Sequence, residues 1–436
     1  MSCKIEIMSH IFDDSLLKNS IYLMITSLIG NILAFFFWVI AAKYYTPNDI
    51  GVTSAIFSSI WLISIIGSIG LPTALMFYLP RDINTDKIIS SCLVIGIISS
   101  IIFSLIFILG LKIWGPGLIL TLSNLENILI FIVITAAMSI SGLIGAMLTA
   151  GRRSSFQMVK ETVYHFIKIF PLILLVNLGA IGILLSICIG FILSIVIGFI
   201  LLYKTWKYLP IFTLDPIIMK MASFSARNYV ADILYWLPRL ILPIMILNMI
   251  SAKSAGYFYI AMMMAGLLYG ISQSISSSLL VESSHKDNFW DNANKAIKFN
   301  FIILIFGLLF FMIFGRFILN MFNPSYAENA NVTMIILVIT SIPISLINIF
   351  NAVRNSQNRV MITIIINIIV AGVTLLLSIL LIRLMNIEGA AISYLIANTA
   401  GAIVSIYSIK NPKENTLRLL NEIKNSVLYH IFINHS

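Results

Sequence analysis

Residues 179–203 read GAIGILLSICIGFILSIVIGFILLY, and no charged side chain interrupts them. A helix needs about 20 apolar residues to cross the hydrocarbon core of a bilayer, so this stretch is long enough to span a membrane. Of the 436 residues in the chain, 60% are hydrophobic and 10% are charged, whereas soluble domains carry about 25% charged residues. The composition excludes a soluble enzyme, a disordered protein and a simple nucleic-acid-binding protein. It predicts an all-α integral membrane protein.

Twelve runs of the chain are long enough to span a bilayer in the same way. The fifth and sixth runs are divided only at residues 177–179 (NLG), so this boundary is the weakest of the set. No connection between runs exceeds about 20 residues, which leaves no room for an extramembrane catalytic domain. The runs, with generous ends, are 20–42, 50–79, 88–111, 125–149, 158–178, 179–203, 222–250, 255–281, 297–320, 331–353, 360–382 and 388–409.

The distribution of Lys and Arg predicts how these spans are oriented. With both termini placed in the cytoplasm, 21 of the 27 cations fall on the inner side, five fall on the outer side, and Arg239 lies within a span. Short cytoplasmic loops collect Lys and Arg in membrane proteins. The sequence therefore predicts a multi-pass protein of the cell (cytoplasmic) membrane with cytoplasmic N- and C-termini. The net charge of +10 needs no nucleic-acid partner to explain it.

The two halves of the chain share weak sequence similarity. Residues 251–256 (SAKSAG) follow residues 46–51 (TPNDIG) by about 205 positions, and each stretch connects the first and second span of its half. At an offset of 207, three further pairs match: Arg152 with Arg359, Gly182 with Gly389, and Ser186 with Ser393. Because six spans is an even number, the halves have the same orientation. We therefore expect two six-helix bundles related by a pseudo-two-fold axis along the membrane normal, a geometry that suits alternating access.

This duplication divides the chain into four parts. We expect an N-terminal lobe at 1–203, a cytoplasmic linker at 204–221, a C-terminal lobe at 222–409 and a cytoplasmic tail at 410–436. In the tail, apolar residues recur at helical spacing, which predicts an amphipathic helix on the inner leaflet. A weakly ordered end is the alternative.

Several short motifs resemble a known family of transporters. They are AKYYTPNDIG at 42–51, GLPTA at 70–74 with YLPR at 78–81, AGRR at 150–153, SAGY at 254–257 and EGAA at 388–391. Their order and spacing resemble the polysaccharide-transport branch of the multidrug/oligosaccharidyl-lipid/polysaccharide (MOP) exporter superfamily, which includes O-antigen flippases. The resemblance implies two six-helix bundles that translocate polyprenyl-diphosphate-linked oligosaccharides. Lys43 stands where arginine is commoner, and twelve spans rather than the fourteen of lipid II flippases disfavour a peptidoglycan precursor as cargo.

Charged residues within the seventh span are the first candidates for a substrate site. Arg239 lies near the middle of the run 222–250, between Pro238 and Pro243, which can open the helix toward a cavity. Asp232 lies two turns earlier on the same face, and Arg227 lies nearer the cytoplasm. We expect a cationic surface that binds a diphosphate, with Asp232 steering the head group or coupling to an ion. A structural pair between Asp232 and Arg239 is the alternative.

The fifth span supplies a second set of candidates. Glu161, His165 and Lys168 recur at helical spacing and share one face, while Lys160 and Arg152-Arg153 cluster at the inner end. Lys168 either lines the cavity or snorkels to the inner head groups. His165 is either a proton relay or a hydrogen-bonded packing residue. Arg81, at the inner end of another span, most simply obeys the positive-inside rule, with a role at a lipid phosphate as the alternative.

Uncharged polar residues within spans form a third set. They could hydrogen-bond sugar hydroxyls, or they could hold helices to one another. They are Asn31, Asn228, Gln273, Asn348 and Asn351.

The sequence contains no recognisable enzyme or nucleotide-binding motif. We therefore expect a non-enzymatic transporter without a cofactor, driven by membrane potential, an ion gradient or consumption of the cargo. The coupling ion is open. The expected partners are an anionic lipid-linked oligosaccharide and membrane lipids, with polysaccharide-assembly enzymes as further candidates. The main hypothesis is a lipid-linked oligosaccharide flippase. The alternatives are an exporter of drugs or small organic ions, and a membrane polymerase or ligase, for which the outer stretches 112–124 and 321–330 are short.

Overall fold

Helices make up nearly all of the computed structural model, which describes residues 15–82, 84–211, 213–282, 289–356 and 359–410. The described residues contain no β-strand. The α-helices are α1 (Ser15–Tyr44), α2 (Pro47–Gly67), α3 (Leu71–Tyr78), α4 (Thr85–Leu109), α5 (Leu111–Trp114), α6 (Leu125–Ala150), α7 (Ser154–Ile167), α8 (Ile169–Leu174), α9 (Ala180–Trp206), α10 (Ile217–Met249), α11 (Ala252–Glu282), α12 (Phe289–Phe322), α13 (Pro324–Asn329), α14 (Asn331–Ile339), α15 (Ser341–Ser356) and α16 (Val360–Lys410).

The helices account for twelve membrane spans. Ten segments of the described chain are long and apolar enough to cross a bilayer. The last of them, α16, contains two spans, because its backbone leaves helical geometry at Met385 and Asn386. The fifth span is divided into α7 and α8, each too short to cross alone. The predicted all-α membrane fold is thus confirmed.

The second span differs from the continuous run predicted at 50–79. Helix α2 ends at Gly67 and α3 begins at Leu71, with positive φ angles at Ile69 (48°) and Gly70 (71°) between them. Pro72 lies in the first turn of α3, where its missing N–H costs nothing, whereas within a continuous helix it would remove a hydrogen bond. The chain therefore turns here and starts a new helix.

The backbone repeats between the two halves at the offset seen in the sequence. Gly179 has φ 57° and ψ −135°, and Asn386, 207 residues later, has φ 52° and ψ −134°. Three residues beyond each of them, a Cβ added at Gly182 or at Gly389 would overlap a carbonyl oxygen of the preceding segment. The same unusual turn thus precedes the last span of both halves, as expected of two copies of one unit.

The two bundles touch closely at the ends of α2 and α11 that are predicted to face outward. Gly51 and Gly256 meet there backbone to backbone, because a Cβ at Gly51 would lie 2.9 Å from the Gly256 nitrogen. Nearby, the Asn248 side chain accepts a hydrogen bond from the Gly117 N–H (2.9 Å) and donates one to the Trp114 carbonyl (3.0 Å). Gly51 and Gly256 end the two repeated motifs, so equivalent residues meet each other and close this face.

Aromatic residues join the same bundles further along α2 and α10. The rings of Trp61 and Trp236 lie 5.0 Å apart, and the Tyr229 hydroxyl donates a hydrogen bond to the Ile66 carbonyl at 2.6 Å. One helical pair, α2 with α10, therefore holds the bundles together over much of its length.

The connection between the bundles is short in the structure. Helix α9 ends at Trp206 and α10 begins at Ile217. The predicted helix of the tail lies almost entirely outside the described residues, which end at residue 410.

Candidate functional site

A polar cavity of about 490 Å³ opens in the C-terminal half. Helices α10, α11, α15 and α16 form its wall, and α3 of the N-terminal half contributes one residue. Ten of the thirteen lining side chains are polar, and Asp232 is the one charged group among them. The lining residues are Thr73, Asn228, Ala231, Asp232, Tyr235, Gln273, Ser276, Asn348, Asn351, Ala352, Val360, Thr363 and Asn367.

The cavity reaches the ends of the helices that are predicted to face the cytoplasm. Val360 is the first residue of α16, and Thr73 lies in α3, close to the loop that carries Arg81. The opposite face is closed by the contact of Gly51 with Gly256. This cavity thus opens toward one side, and the two bundles are in contact at the other.

Four of the five amides singled out in the sequence line this one cavity. They are Asn228, Gln273, Asn348 and Asn351. The fifth, Asn31, lies on α1 and faces α11, with its Nδ2 atom 3.3 Å from where a Cβ on Gly270 would lie. Asn31 therefore belongs to the contact between the bundles rather than to the cavity wall.

Arg239 lies beside the cavity, among aromatic rings. Its Nε donates a hydrogen bond to the Tyr394 hydroxyl at 3.2 Å, and its guanidinium lies 4.5 Å from the centre of the Tyr269 ring and 5.4 Å from that of Trp236. A small void of about 20 Å³ is lined by Tyr235 and Tyr394, and Tyr235 also lines the large cavity. The arginine is therefore one aromatic side chain away from the cavity.

Arg239 has no carboxylate partner among the described residues. The described side chains form one ion pair, Lys160 with Glu161, and Asp232 forms none. The structural Asp232–Arg239 pair considered from the sequence is thus absent. Interactions between a cation and aromatic faces are typically worth about 0.5–2 kcal/mol. The aromatic rings do not neutralise the positive charge of Arg239, so this arginine can attract an anion.

Lys168 is a second cation that rests on aromatic rings, in the N-terminal half. It lies between α7 and α8, where the span is interrupted, and only 5% of it is exposed. Its Nζ lies 4.6 Å from the ring centre of Phe37 and 4.5 Å from that of Tyr164. Trp38, next to Phe37, packs against Tyr259 of α11 at 4.8 Å. Lys168 is therefore a buried cation close to the interface between the bundles.

The other residues of the fifth span serve the packing of the N-terminal bundle. Lys160 is fully buried and bonds the Ser141 carbonyl (2.9 Å), the Ser141 hydroxyl (2.7 Å) and Glu161 (2.8 Å). His165 packs against α1, where a Cβ on Gly30 would lie 3.1 Å from its Nε2. Of the shared face predicted for Glu161, His165 and Lys168, Glu161 pairs with Lys160 in the structure.

Three predicted candidates do not line the cavity: two lie at helix ends, and Arg227 lies within α10, next to the lining residue Asn228. Arg81, Arg152 and Arg227 are exposed. The Arg81 guanidinium lies 3.7 Å from the centre of the Phe77 ring and donates to the Phe77 carbonyl. None of the three lines the cavity.

Sequence reasoning missed several residues of the site. Asn367 and Thr363 line the cavity from α16, and Tyr394 holds Arg239. Asn348 was identified because it is an amide inside an apolar run. Asn367 has the same property and could have been identified in the same way. The tyrosines carried no such signal, because aromatic residues occur throughout membrane helices. No group of three or more metal-ligating side chains occurs in the part of the chain that the structure describes.

Comparisons with known proteins agree with this architecture. A family model described as "Polysaccharide biosynthesis protein" matches residues 16–281. A search of curated protein sequences finds no match. An inward-facing multidrug resistance MATE family transporter of the MOP superfamily superposes with a TM-score of 0.71 at 14% identity, over 92% of this chain and 99% of that chain.

Two further solved structures are similar in fold. The lipid II flippase MurJ in an inward closed conformation gives a TM-score of 0.72 at 18% identity, over 89% of this chain and 87% of that chain. A MOP superfamily transporter from Pyrococcus furiosus, described as having a binding pocket of reversed polarity, gives a TM-score of 0.63 at 14% identity, over 91% of this chain and 97% of that chain. The chain has the two-bundle fold of MOP transporters, and because the family model spans more than half of it, it belongs to the family of polysaccharide biosynthesis proteins.

Proposed function

We propose that the protein is a flippase that moves a polyprenyl-diphosphate-linked oligosaccharide from the inner to the outer leaflet of the cytoplasmic membrane by alternating access. The proposal places both termini in the cytoplasm, assigns no catalytic step and needs no cofactor. The ion or potential that drives the cycle is left open.

The observation that carries the proposal is the unneutralised Arg239 beside a polar cavity. A cation inside a membrane span is costly, and such residues usually mark the path of a substrate or ion. Arg239 lies on aromatic rings, and among the residues that the structure describes it forms one hydrogen bond, to Tyr394. A diphosphate can therefore bind its free N–H groups without first breaking an ion pair. Lys168, also resting on aromatic rings, supplies a second cation in the other bundle.

The closed outer face and the open inner cavity support alternating access. The contact of Gly51 with Gly256 and the hydrogen bonds of Asn248 close one side, while the cavity reaches the helix ends at the other. This arrangement corresponds to an inward-facing state. Rocking the two bundles about their interface would exchange the closed and open sides.

A multidrug exporter is the second candidate, and the fold alone does not distinguish it. Asp232 is the observation in its favour, because a carboxylate in the cavity can hold an organic cation. The uncompensated Arg239 disfavours a cationic substrate. The family match to polysaccharide biosynthesis proteins favours the flippase as well.

The replacement Arg239→Gln tests the proposal in reconstituted vesicles with a fluorescent polyprenyl-diphosphate oligosaccharide. Hydrogen bonds to charged groups contribute about 1.5–3 kcal/mol, so we expect transport of the lipid to fall by about tenfold or more. Arg383→Gln, which changes an exposed arginine of the same half, is the matched control and should transport normally. Equal transport by both variants would rule out Arg239 as a diphosphate ligand.

A further inference from the structure

Side chains from three helices hold the guanidinium of Arg239. Trp236 comes from its own helix α10, Tyr269 comes from α11 and Tyr394 comes from α16. Both tyrosines are buried, whereas Arg239 is only partly buried. An arginine carries five N–H donors in a planar fork. The contacts of Arg239 therefore decide which of its donors remain for a ligand.

Tyr394 takes the inner nitrogen of this fork. Arg239 Nε donates a hydrogen bond to the Tyr394 hydroxyl at 3.2 Å. Among the residues that the structure describes, Arg239 forms no other hydrogen bond and no ion pair. A guanidinium can bind two oxygens of one anion through Nε and Nη2, or through Nη1 and Nη2. Because Tyr394 occupies Nε, the pair Nη1 and Nη2 is the one left for an anion.

Tyr269 gives the guanidinium a fixed surface to rest on. The centre of its ring lies 4.5 Å from the guanidinium carbon, within the range in which a cation is attracted to an aromatic face. The Tyr269 hydroxyl donates a hydrogen bond of 2.6 Å to the Leu337 carbonyl of α14, close to the break between α14 and α15. The ring is therefore anchored at its far end to a further helix, and its position does not depend on Arg239.

Lys168 shows a different arrangement of a cation on aromatic rings. Its Nζ rests on Phe37 and Tyr164, and among the described residues it forms no hydrogen bond. An ammonium is a compact point charge on a flexible stem, whereas a guanidinium is planar and binds two oxygens only when it is aligned with them. Of these two cations, the one that needs alignment, Arg239, is the one with a hydroxyl bonded to Nε.

We propose that Tyr394 is a positioning residue: by engaging Nε, it holds the Arg239 guanidinium so that Nη1 and Nη2 bind two oxygens of one phosphate group. The inference rests on the proposed function and deepens it, because it assigns the geometry in which the diphosphate is recognised. Tyr394 acts through Arg239 and needs no contact with the substrate. Positive charge alone is then insufficient at position 239, since a lysine there has no fork to align.

A double-mutant cycle on binding of inorganic pyrophosphate tests this role without the lipid or the sugars. The purified full chain would be titrated in a calorimeter. Tyr394→Phe removes the hydroxyl and keeps the ring, and Arg239→Lys keeps the charge and removes the fork. One hydrogen bond to a charged group corresponds to about tenfold or more in affinity, so each single variant should bind pyrophosphate about tenfold more weakly than the wild type.

The double variant separates positioning from a merely structural role. If Tyr394 acts only by aligning the guanidinium, Tyr394→Phe has nothing to disturb in an Arg239→Lys background, and the double variant should bind as weakly as either single variant. If Tyr394 only supports the surrounding structure, the two losses are independent and should multiply to about a hundredfold.

Tyr45→Phe is the matched control. Tyr45 is also buried, and its hydroxyl donates to the Leu172 carbonyl at 2.7 Å, but this hydrogen bond lies within the N-terminal half. Its loss should leave pyrophosphate binding unchanged. Should Tyr394→Phe fail to fold, Arg239→Lys decides alone: binding equal to that of the wild type would show that charge is sufficient and would overturn the inference.

The outcomes also separate this inference from the proposed function. Wild-type binding by Tyr394→Phe, multiplied losses in the double variant, or no binding of pyrophosphate to the wild type would each overturn the positioning role. If the lipid-linked substrate still moves in that case, the flippase proposal stands without it. If the cycle gives the expected result but no lipid-linked substrate moves, the positioning role stands and the flippase proposal fails.

Discussion

Adding a single methyl group at Gly51 should force the outer face open. The Cβ of Gly51→Ala would lie 2.6 Å from the Ala252 carbonyl carbon and 2.9 Å from the Gly256 nitrogen, and closer still to the Ala252 oxygen. All three are backbone atoms, and ordinary contacts of a Cβ begin at 3.4 Å. No side-chain rotation can relieve the overlap, so α2 and α11 must separate by at least about 1 Å at their outer ends.

The size of the effect follows from the cost of overpacking. Inserting a methyl group into a closely packed contact costs about 1–3 kcal/mol, and here the cost falls on the closed outer face alone. A bias of this size shifts the ratio of the two states by about 5–150-fold toward the outward-open state. We therefore expect a large gain in the outward-open population and a loss of net transport, because the cycle can no longer return easily to the inward-facing state.

Spin labels or an impermeant thiol reagent at the outer ends of α2 and α11 would measure this shift. Gly266→Ala is the matched control on α11, because a Cβ there has no neighbour within 4 Å. It should leave both the distance distribution and transport unchanged. If Gly51→Ala shows the wild-type distance distribution, the contact of Gly51 with Gly256 does not close the outer face, and the reasoning is wrong.

Two further predictions concern hydrogen bonds between helices. Asn248→Ala removes both hydrogen bonds to the segment that contains Gly117, each worth about 1 kcal/mol. Labelling of the outer ends of the helices by the impermeant thiol reagent should therefore increase several-fold. Unchanged labelling would show that this contact does not hold the outer face closed. Lys160→Met removes the ion pair with the partly exposed Glu161 and leaves the buried Ser141 carbonyl without its donor, and an unsatisfied buried group costs about 1–3 kcal/mol. Its melting temperature in detergent should fall by several degrees, whereas Lys112→Met, at an exposed position, should melt like the wild type.

Much of the fold follows from the sequence, because spans and repeats leave local signals. The apolar runs predicted twelve spans, and the offset of 207 predicted two equivalent bundles, which agrees with the matched turns at Gly179 and Asn386. The break between α2 and α3 was not predicted, because Gly70 and Pro72 were assigned to the interior of one run. A proline such as Pro72 can either start a helix or kink one. Which of the two occurs here depends on packing against α10.

The site was less accessible to sequence reasoning, because it depends on contacts between distant segments. Asn348 and Asn351 were identified as polar residues in a span, but the partners that orient Asn351, Arg354 and Thr363, follow only from the packing of α15 against α16. Lys160 was assigned to a cluster at the inner end, and only the fold shows that Ser141, on another helix, buries it. Charge and spacing locate candidates along one helix, whereas pairing and burial require the whole bundle.

Movement of a lipid-linked oligosaccharide by the purified wild-type protein tests the central claim most directly. The protein would be reconstituted into vesicles with a fluorescent polyprenyl-diphosphate oligosaccharide, and a membrane-impermeant quencher would report how much lipid reaches the other leaflet, with and without an imposed membrane potential. The account predicts movement that depends on the protein and is lost in Arg239→Gln. Absence of movement for several glycans, together with efflux of small organic cations from the same vesicles, would contradict the account and identify a multidrug exporter.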